Sequence, residues 1–279
     1  MEPTEHPYTV AIIQARMGSS RLPGKVLRPI AGKPMLQRVV ERTRLALSIN
    51  QVAVATTGEP DDDPVAEFCQ AHGIPAWRGS LHDVLDRYYQ AARQLQPQVV
   101  VRITADCPLL DPGQVDRTVS AFLGRTRPTD RLLTPAGPAP AEPPFDFAAN
   151  RLPPPWGRTV PIGLDTEVCW FSGLETVWNE ARQPYQREHV MPYFYDHLER
   201  FRILLVNEAE NYGELRWTVD TAQDLELVQQ IYARFDGRDD IAYADVLDLW
   251  HREPQLAQIN AGVQHKDYRQ VDERAGKAG

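Results

Sequence analysis

The sequence predicts an α/β protein with a mostly parallel, mixed central sheet and helices on its faces. Two observations lead to this fold class. Short β-branched runs alternate with longer amphipathic segments through the first half of the chain, which is the rhythm of parallel strands joined by helices. A length of 279 residues, of which 42% are hydrophobic, is enough for one domain with a substantial core. We therefore expect one domain over residues 1–250 and a tail over residues 251–279.

The first half contains three predicted buried strands and four predicted helices. The strands are predicted at residues 9–13, 51–56 and 99–104, and the helices at residues 34–47, 63–72, 80–95 and 112–123. Apolar residues of the third helix recur at near-helical spacing, so one face is expected to pack against the sheet. These residues are Leu81, Val84, Leu85, Tyr88, Ala92 and Leu95.

Proline dominates the middle of the chain, where ten of the 34 residues from 128 to 161 are proline. Proline is excluded from helix interiors and from central strands, so residues 125–162 are predicted to form an excursion over the surface. Beyond it, strands are predicted at residues 164–171, 202–206 and 215–219, and helices at residues 172–183, 187–198, 221–235 and 243–250. The polar residues from Glu253 onward predict a loosely held tail.

Composition excludes several classes of function. The net charge of −8 argues against nucleic-acid binding, because proteins that bind the phosphate backbone need an excess of basic surface. No apolar run approaches the roughly 20 residues that a membrane span needs, so we expect a cytoplasmic protein without a membrane partner. Cys69, Cys107 and Cys169 are odd in number and far apart, which argues against disulfides or a zinc site and predicts buried thiols.

Basic residues are concentrated near the amino terminus. Residues 6–40 contain six Lys or Arg and no Asp or Glu, whereas the rest of the chain carries 24 basic and 38 acidic residues. Such a local cationic region in an acidic protein indicates a small anionic ligand. Arg28 and Arg38 flank an apolar helical face, so we expect Arg16, Arg21 and Lys25 to be the members that point into one crevice.

The loop that directly follows the first strand carries the most chemistry. In open α/β sheets, ligands bind beyond the carboxyl ends of the strands, which is where this loop lies. Its glycines allow close approach to phosphate, its hydroxyl groups add donors, and its basic residues supply charge. The predicted nucleotide-binding residues are Gln14, Ala15, Arg16, Gly18, Ser19, Ser20, Arg21 and Lys25, with Gly24 as the second glycine.

Two familiar phosphate-binding loops do not match this segment. A P-loop needs four residues between its glycines and a hydroxyl after the lysine, but five residues separate Gly18 from Gly24 and Val26 follows Lys25. A dinucleotide-binding loop needs G-x-G-x-x-G, which is not present. An ordinary basic surface loop remains the alternative.

Two aspartates follow predicted strands and are candidate metal ligands. Asp106 comes after the strand at residues 99–104, and Asp220 after the strand at residues 215–219. At the carboxyl edge of the sheet, each could hold Mg²⁺ against phosphate oxygens, although Asp106 could also form a turn before Pro108. Thr221 and Asp224 have the spacing of a helix capping pair, so Asp224 is expected to be structural.

These segments together resemble the cytidylyltransferase superfamily that contains the synthases of CMP-activated sugar acids. The similarity is closest to the SpsF branch of spore-coat polysaccharide biosynthesis, which is related to the CMP-KDO and CMP-sialic acid synthetases. It covers most of residues 10–250. The segments that carry it are residues 14–25, 32–34, 79–80, 83–88, 102–108, 163–168, 187–190 and 217–225.

The resemblance implies a nucleotidyltransferase fold akin to glycosyltransferase-A sheets and a transfer of CMP from CTP to a sugar-type acceptor. It implies that Arg16, Ser19, Ser20, Arg21 and Lys25 hold the triphosphate, with Lys25, Arg16 and Arg21 as the catalytic cations. Asp106 and Asp220 would hold Mg²⁺, and Arg78 and Ser80 would lie near the base. The excursion would contribute to acceptor recognition or to a homodimer contact, for which Trp156, Val160, Ile162 and Leu164 offer apolar surface.

The acceptor side is less defined by the sequence. Asp165 and Glu167 share one face of a predicted strand, and Arg187 and His189 follow the excursion, so these four residues are candidates for acceptor binding. His189 could deprotonate the acceptor hydroxyl or be a structural helix residue. Several alternatives remain. The donor could be another NTP, and the acceptor could be a sugar phosphate. The protein could also be a glycosyltransferase or a non-catalytic nucleotide-binding protein. A glycosyltransferase would normally need an Asp-x-Asp pair, which Asp106-Cys107-Pro108 does not supply.

Overall fold

The fold is defined by a computed structural model that describes residues 6–133 and 144–264. Within those residues, eight strands form one mixed sheet with helices on both faces, which confirms the predicted fold class. The strands are β1 (Thr9–Gln14), β2 (Pro29–Ile30), β3 (Lys33–Pro34), β4 (Gln51–Thr57), β5 (Ala76–Gly79), β6 (Val99–Thr104), β7 (Arg131–Leu132), β8 (Phe147–Ala149), β9 (Arg151–Leu152), β10 (Gly157–Arg158), β11 (Glu167–Trp170) and β12 (Ile203–Leu205).

The helices are close to the predicted ones in the first half of the chain and differ more in the second. They are α1 (Met35–Arg44), α2 (Asp63–Ala71), α3 (Val84–Leu95), α4 (Pro112–Phe122), α5 (Phe171–Glu180), α6 (Pro184–His189), α7 (Pro192–Asp196), α8 (Ala222–Arg234) and α9 (Tyr243–Arg252). Short 3₁₀ helices occur at Lys25–Leu27, Pro60–Asp62 and Pro254–Gln258. None of the helices within the described ranges is long and apolar enough to cross a membrane.

Strand β1 lies at the centre of the large sheet, whose order is β5-β4-β1-β6-β11-β8-β12-β7. Strand β1 runs parallel to β4 and to β6, and Gln14 pairs with Thr104 at the carboxyl end of β6. Strand β11 is antiparallel to both of its neighbours, β6 and β8. Because β1 and β6 are parallel and in register, the loops that follow them start side by side at one edge of the sheet.

Alternate residues of the central strands bury opposite faces of the sheet, as the period of a strand requires. Val10 and Ile12 belong to the core that contains α3, α5 and α7, whereas Ala11 and Ile13 belong to the core that contains α1, α4 and α8. The predicted sheet-facing side of α3 is confirmed for its buried residues, which are Val84, Leu85, Tyr88 and Ala92. The three cysteines are free and buried, also as predicted.

The prediction that residues 125–162 form a surface excursion without a central strand is wrong for the described part of that segment. Strand β8 is fully buried there and pairs with β11 and β12. The physical reason is local, because residues 145–152 contain no proline and can make strand hydrogen bonds on both sides. Residues 134–143 of the predicted excursion lie outside the described residues.

The apolar surface that was expected to favour a homodimer is also largely absent. Val160 and Leu164 are buried by the chain itself, and Trp156 packs against the core on the α3 side. The homodimer stays a prediction, but these residues no longer support it.

Two further elements of the second half differ from the predictions. The helix predicted at residues 187–198 is divided into α6 and α7, because Val190 has a positive φ of 72° and Pro192 begins the next helix. The segment at residues 215–219 is not a ladder strand, since Arg216 forms only an isolated bridge with Ile162.

The start of the predicted tail is packed rather than loosely held. Leu256 joins the core beside α8 and α9, and Asn260 is 6% exposed. Leu256 and Ile259 supply the apolar contacts that dock this segment. Residues 265–279 of the predicted tail lie outside the described residues.

Candidate active site

The loop after β1 folds back on itself and directs Lys25 towards the interior. The Met17 carbonyl accepts hydrogen bonds from the Ser19 and Gly24 backbone N–H groups, at 2.8 and 2.9 Å. Gly24 has a φ of 68°, a left-handed conformation that favours glycine, and it starts the short helix that begins at Lys25. The turn therefore buries the lysine side chain instead of leaving it on the surface.

The Lys25 ammonium lies between the two predicted metal ligands. Its Nζ atom is 2.9 Å from Asp106 Oδ2, 2.8 Å from Asp220 Oδ1 and 2.8 Å from the Val219 carbonyl oxygen. Burial by itself would lower the pKa of Lys25, but the carboxylates of Asp106 and Asp220 outweigh burial and raise it. The ammonium is therefore charged, and Asp106 and Asp220 meet although 114 positions separate them.

Two arginines complete this arrangement on the Asp220 carboxylate. Arg21 and Arg216 approach Asp220 Oδ2 at 2.9 and 2.7 Å. Burial by itself would raise the pKa of Asp220, but the charge and hydrogen bond of Lys25, with Arg216 and Arg21, hold that pKa well below its usual range. We call these five residues, Lys25, Asp106, Asp220, Arg21 and Arg216, the phosphate cluster.

The approach of Asp220 to Asp106 does not depend on a strand, contrary to the prediction. The Val219 N–H and the Thr218 hydroxyl donate to the Asp106 carbonyl oxygen at 2.8 and 3.0 Å, and these bonds hold the two segments together. Asp224 is a cap, as predicted: Thr221 and Asp224 form a capping box at the start of α8.

The other predicted loop residues surround the phosphate cluster with different degrees of exposure. Ala15 is buried and its N–H donates to the Ala55 carbonyl at 3.1 Å. Ser19 Oγ accepts a bond from the Leu22 N–H at 3.4 Å, and Ser20 is exposed. A side chain at Gly18 would meet nothing within 4 Å, so there is open space beside this part of the loop.

The remaining basic residues of this region have different surroundings. Arg38 donates to the Ile30 and Gly237 carbonyls and pairs with Asp239, and so secures the first helix. Arg16 lies close enough to Arg87 and His189 for its charge to lower the pKa of both groups. That Arg16 shares one crevice with Arg21 and Lys25 stays a prediction.

Arg78 and Ser80, which were predicted to lie near the base, form hydrogen bonds to neighbouring segments; Arg78 belongs to β5 and Ser80 directly follows it. The Arg78 guanidinium donates to the Thr57 and Glu59 carbonyls, both at 2.9 Å, and pairs with Asp63. Ser80 Oγ accepts a bond from the Asp83 N–H at 3.2 Å. Both residues are exposed, and their role at a base stays a prediction.

Asp62 is a site residue that the sequence analysis missed. It is 2% exposed; its Oδ1 accepts the Met17 N–H at 2.6 Å and its Oδ2 bonds to the Thr57 hydroxyl. It therefore anchors the loop that follows β1 to the end of β4. In the sequence, Asp62 lies in the run Asp61-Asp62-Asp63 before a helix, where the helix dipole alone is enough to explain acidic residues. Only its proximity to the loop distinguishes the middle residue.

Of the candidate acceptor residues, Glu167 is buried, whereas Asp165 keeps 26% of its side chain exposed. Glu167 is 3% exposed and pairs with Arg102, which also donates to Gln14 Oε1 at 3.0 Å. Asp165 pairs with Arg158 and lies 3.7 Å from Arg151. We call Gln14, Arg102, Arg151, Arg158, Asp165, Glu167 and His189 the acceptor cluster.

Arg187 and His189, the other two acceptor candidates, have different surroundings. The Arg187 guanidinium binds Asp83 Oδ2 at 3.0 Å and the Trp178 carbonyl at 2.7 Å, and so ties α6 to α3 and α5. His189 Nε2 is buried and has no hydrogen-bond partner among the described residues. Burial, and then the charges of Arg102, Arg151 and Arg16, lower the pKa of His189 to about 4, so its imidazole is neutral at pH 7.

The phosphate cluster has a donor set that fits Mg²⁺ bound together with a substrate. Magnesium is usually held by one or two carboxylates, with phosphate oxygens and waters as its other ligands. Asp106 and Asp220 supply two converging carboxylates, and 27% of the Asp106 side chain is exposed. No group of three or more His, Cys, Asp or Glu residues in the described ranges could hold a metal by itself. A phosphate-bearing ligand would therefore have to complete the site.

The fold and the site together define a class of protein. An open α/β sheet carries a glycine- and serine-containing cationic loop at the carboxyl edge, and two acidic side chains from distant segments converge on its lysine. This is the arrangement of a nucleotidyltransferase, in which cations and a metal neutralise a polyphosphate.

Comparison with known families gives the particular assignment. The family model described as Cytidylyltransferase matches residues 10–233. The chain belongs to the cytidylyltransferase family. The matched range contains every member of the phosphate and acceptor clusters and ends within α8.

Two relatives that cover most of the chain and one that covers less than half of it illustrate the range of similarity. An uncharacterized protein of Methanocaldococcus jannaschii is 32% identical over 95% of this chain and 99% of its own length. The spore coat polysaccharide biosynthesis protein SpsF of Bacillus subtilis is 28% identical over 88% of this chain and 95% of its own. A 3-deoxy-manno-octulosonate cytidylyltransferase of Anaeromyxobacter sp. (strain K) is 39% identical over 43% of this chain and 49% of its own.

Solved structures share the fold over the same extent. A cytidylyltransferase from Leptospira borgpetersenii serovar Hardjo-bovis superposes with a TM-score of 0.78 at 31% identity, covering 93% of this chain and 100% of that one. A CMP:2-keto-3-deoxy-manno-octonic acid synthetase complexed with CTP has a TM-score of 0.57 at 21% identity and covers 82% of this chain and 99% of that one. These similarities confirm the nucleotidyltransferase fold that the sequence predicted.

Proposed function

We propose that this protein transfers CMP from CTP to a hydroxyl group of a sugar acid, with Mg²⁺ as cofactor and pyrophosphate as the second product. The observation that carries the proposal is the position of Lys25 between Asp106 and Asp220, at the foot of the loop that follows β1. Family membership supports CTP as the donor. The names of the SpsF and 3-deoxy-manno-octulosonate relatives support a sugar acid and polysaccharide synthesis.

The reaction needs positioning and charge neutralisation more than a protein nucleophile. The acceptor oxygen attacks the α-phosphorus, the bond from that phosphorus to the bridging oxygen breaks, and pyrophosphate leaves with the electron pair. Lys25, Arg16 and Arg21 offer positive charge to the triphosphate, and the loop has open space beside Gly18. When bound, Mg²⁺ would be held by Asp106 and Asp220 and would screen these carboxylates from the phosphates.

An anionic acceptor is supported by the charge balance of the acceptor cluster. Arg102, Arg151 and Arg158 supply three positive charges, whereas Asp165 and Glu167 supply two negative ones. His189 adds no charge at neutral pH because its pKa is about 4. Part-buried ions are costly unless they are paired, so the excess positive charge favours a ligand with a carboxylate. A pKa of about 4 makes the His189 imidazole a weak base, so its role in deprotonating the acceptor hydroxyl stays a prediction.

Pyrophosphate release tests this proposal directly. The protein would be incubated with Mg²⁺ and each of CTP, UTP, ATP and GTP, across a panel of sugar acids, neutral sugars and sugar 1-phosphates. We expect release with CTP and a sugar acid, with Lys25→Ala as the control for contaminating activity. If pyrophosphate were released only with UTP and a sugar 1-phosphate, these would be the donor and the acceptor instead of CTP and a sugar acid. Nucleotide binding without any release would favour a non-catalytic protein.

A further inference from the structure

We propose that Asn260 is a positioning residue that orients the Asp220 carboxylate through Asp224 and Arg216. Asn260 lies beyond the range that the family model matches, in the segment that follows α9. The proposal rests on the proposed function, because it assigns Asn260 a role in turnover through Asp220.

Asn260 forms one hydrogen bond to Arg216 and one to Asp224. Its Nδ2 atom donates to the Arg216 carbonyl oxygen at 3.0 Å and to Asp224 Oδ1 at 2.9 Å. Asp224 in turn accepts the Arg216 Nε–H at 2.9 Å through the same oxygen. One buried amide therefore fixes both the backbone of Arg216 and the carboxylate that binds its guanidinium.

Asp224 and Arg216 hold Asp220 from opposite ends. Asp224 Oδ2 accepts the backbone N–H of Asp220 at 3.0 Å, and the Arg216 guanidinium reaches Asp220 Oδ2 at 2.7 Å. Asp224 is 0% exposed and Arg216 is 7% exposed, so water competes little for these bonds. A buried network of this kind keeps its geometry only when all of its members are satisfied.

The segment that carries Asn260 also reaches the exposed side of the phosphate cluster. The Arg21 guanidinium contacts the Gln264 carbonyl oxygen at 3.5 Å and pairs with Asp220 through its other nitrogen. Leu256 anchors the segment in the core four residues before Asn260. The chain after α9 thus contributes to the placement of Asp220, although the family pattern that defines the site ends earlier.

A double-mutant cycle on turnover tests this role. Asn260→Ala is expected to lower kcat about 10-fold with little change in the KM for CTP, on the scale of losing an outer-shell partner. In the Asp220→Asn background, the same change should lower kcat less than 2-fold, because the carboxylate that Asn260 orients is already gone. Gln258→Ala, on the exposed side of the same segment, is the matched control and should leave kcat unchanged.

Two additional variants separate positioning from packing. Leu256→Ala loosens the same segment without touching the polar network, so its effect on kcat should be smaller than that of Asn260→Ala at an equal loss of Tm. Asn260→Asp keeps the size of the side chain and serves if Asn260→Ala does not fold. At neutral pH the new carboxylate would repel Asp224. At lower pH this carboxyl group would gain a proton that it can donate to Asp224, so the kcat of the variant relative to wild type should rise as pH falls.

The outcomes distinguish the inference from the proposed function. If the effects of Asn260→Ala and Asp220→Asn multiply, or if Asn260→Ala and Leu256→Ala lower kcat equally at equal Tm, Asn260 is only structural. The same conclusion follows if the kcat of Asn260→Asp relative to wild type does not change with pH. If Asp220→Asn itself keeps normal turnover, the role proposed for Asp220 fails, whatever Asn260 does.

Discussion

The phosphate cluster and the acceptor cluster are both made of part-buried ions, but they pair in different ways. In the phosphate cluster, three cations converge on Asp220, and Asp106 keeps 27% of its side chain exposed. In the acceptor cluster, Glu167 is buried against Arg102, whereas Asp165 is bound by Arg158 and keeps 26% of its side chain exposed. Asp106 and part of Asp165 therefore remain accessible to a ligand, whereas Glu167 uses its charge within the protein.

From this difference we expect some of the charged residues to control turnover and others to control stability. A carboxylate that remains accessible can exchange its protein partner for a ligand, so its replacement should affect chemistry. A carboxylate that is buried against one arginine leaves that arginine unpaired when it is replaced, so its replacement should affect folding. Four predictions test this division, beginning with the largest effect.

Lys25→Ala should lower turnover by about 1000-fold, because it removes a preorganised cation from the triphosphate and leaves Asp106 and Asp220 without their shared partner. Pyrophosphate release at saturating CTP measures the effect. Lys33→Ala is the matched control, since Lys33 pairs with Glu41 and Asp239 and should be dispensable for turnover. Equal losses in the two variants would contradict a specific role for Lys25.

Glu167→Gln should lower the free energy of unfolding by about 3 kcal/mol, because the side chain keeps its size while Arg102 loses its buried counter-charge. Urea denaturation followed by circular dichroism measures the change. Glu180→Gln is the control, because Glu180 forms an exposed pair with Arg200 and should not alter stability measurably. If Glu167→Gln kept full stability but lost turnover, the proposed difference between the two clusters would disappear.

Asp106→Asn and Asp220→Asn should each lower kcat by at least roughly 100-fold while the protein stays folded, because each keeps its size but loses a charge at the polyphosphate. The measurement is pyrophosphate release as Mg²⁺ is varied, with circular dichroism to verify folding. Asp165→Asn is the comparison from the acceptor cluster and should mainly raise the KM for the acceptor. Near-normal rates for Asp220→Asn at limiting Mg²⁺ would show that the shared metal site is wrong.

His189 should make stability depend on pH. Its pKa is about 4 in the folded protein against an ordinary value of 6.5, so between these values the unfolded chain binds a proton that the folded chain does not. The free energy of unfolding should therefore fall as pH drops from 6.5 to 4, by about 3 kcal/mol for this residue. The difference in stability between wild type and His189→Gln, measured by denaturation at each pH, isolates this effect. A difference that does not vary with pH would mean that His189 is not buried in its neutral form.

Local sequence patterns were enough to predict the amino-terminal half of the fold and the main residues of the phosphate cluster. Strands β1, β4 and β6 and helix α3 follow from local periodicity, because each is a continuous segment with a clear buried face. Lys25 and Asp106 could be selected because they follow the parallel strands β1 and β6, whose carboxyl ends lie at one edge of the sheet. Asp220 was selected on a predicted strand that the structure does not contain, and hydrogen bonds to the Asp106 carbonyl oxygen place it instead. The capping pair of Thr221 and Asp224 is also local, since its two members are three residues apart.

The arrangement of the second half depends on tertiary contacts that local sequence patterns do not reveal. Strand β8 pairs with β11 and β12, partners that are distant in sequence, and the prolines around it concealed the short run that can form a strand. Asp62 and Asn260 have no local motif, because each acts on a residue at least 36 positions away. Their importance comes from burial and from partners that only the folded chain brings within hydrogen-bonding distance.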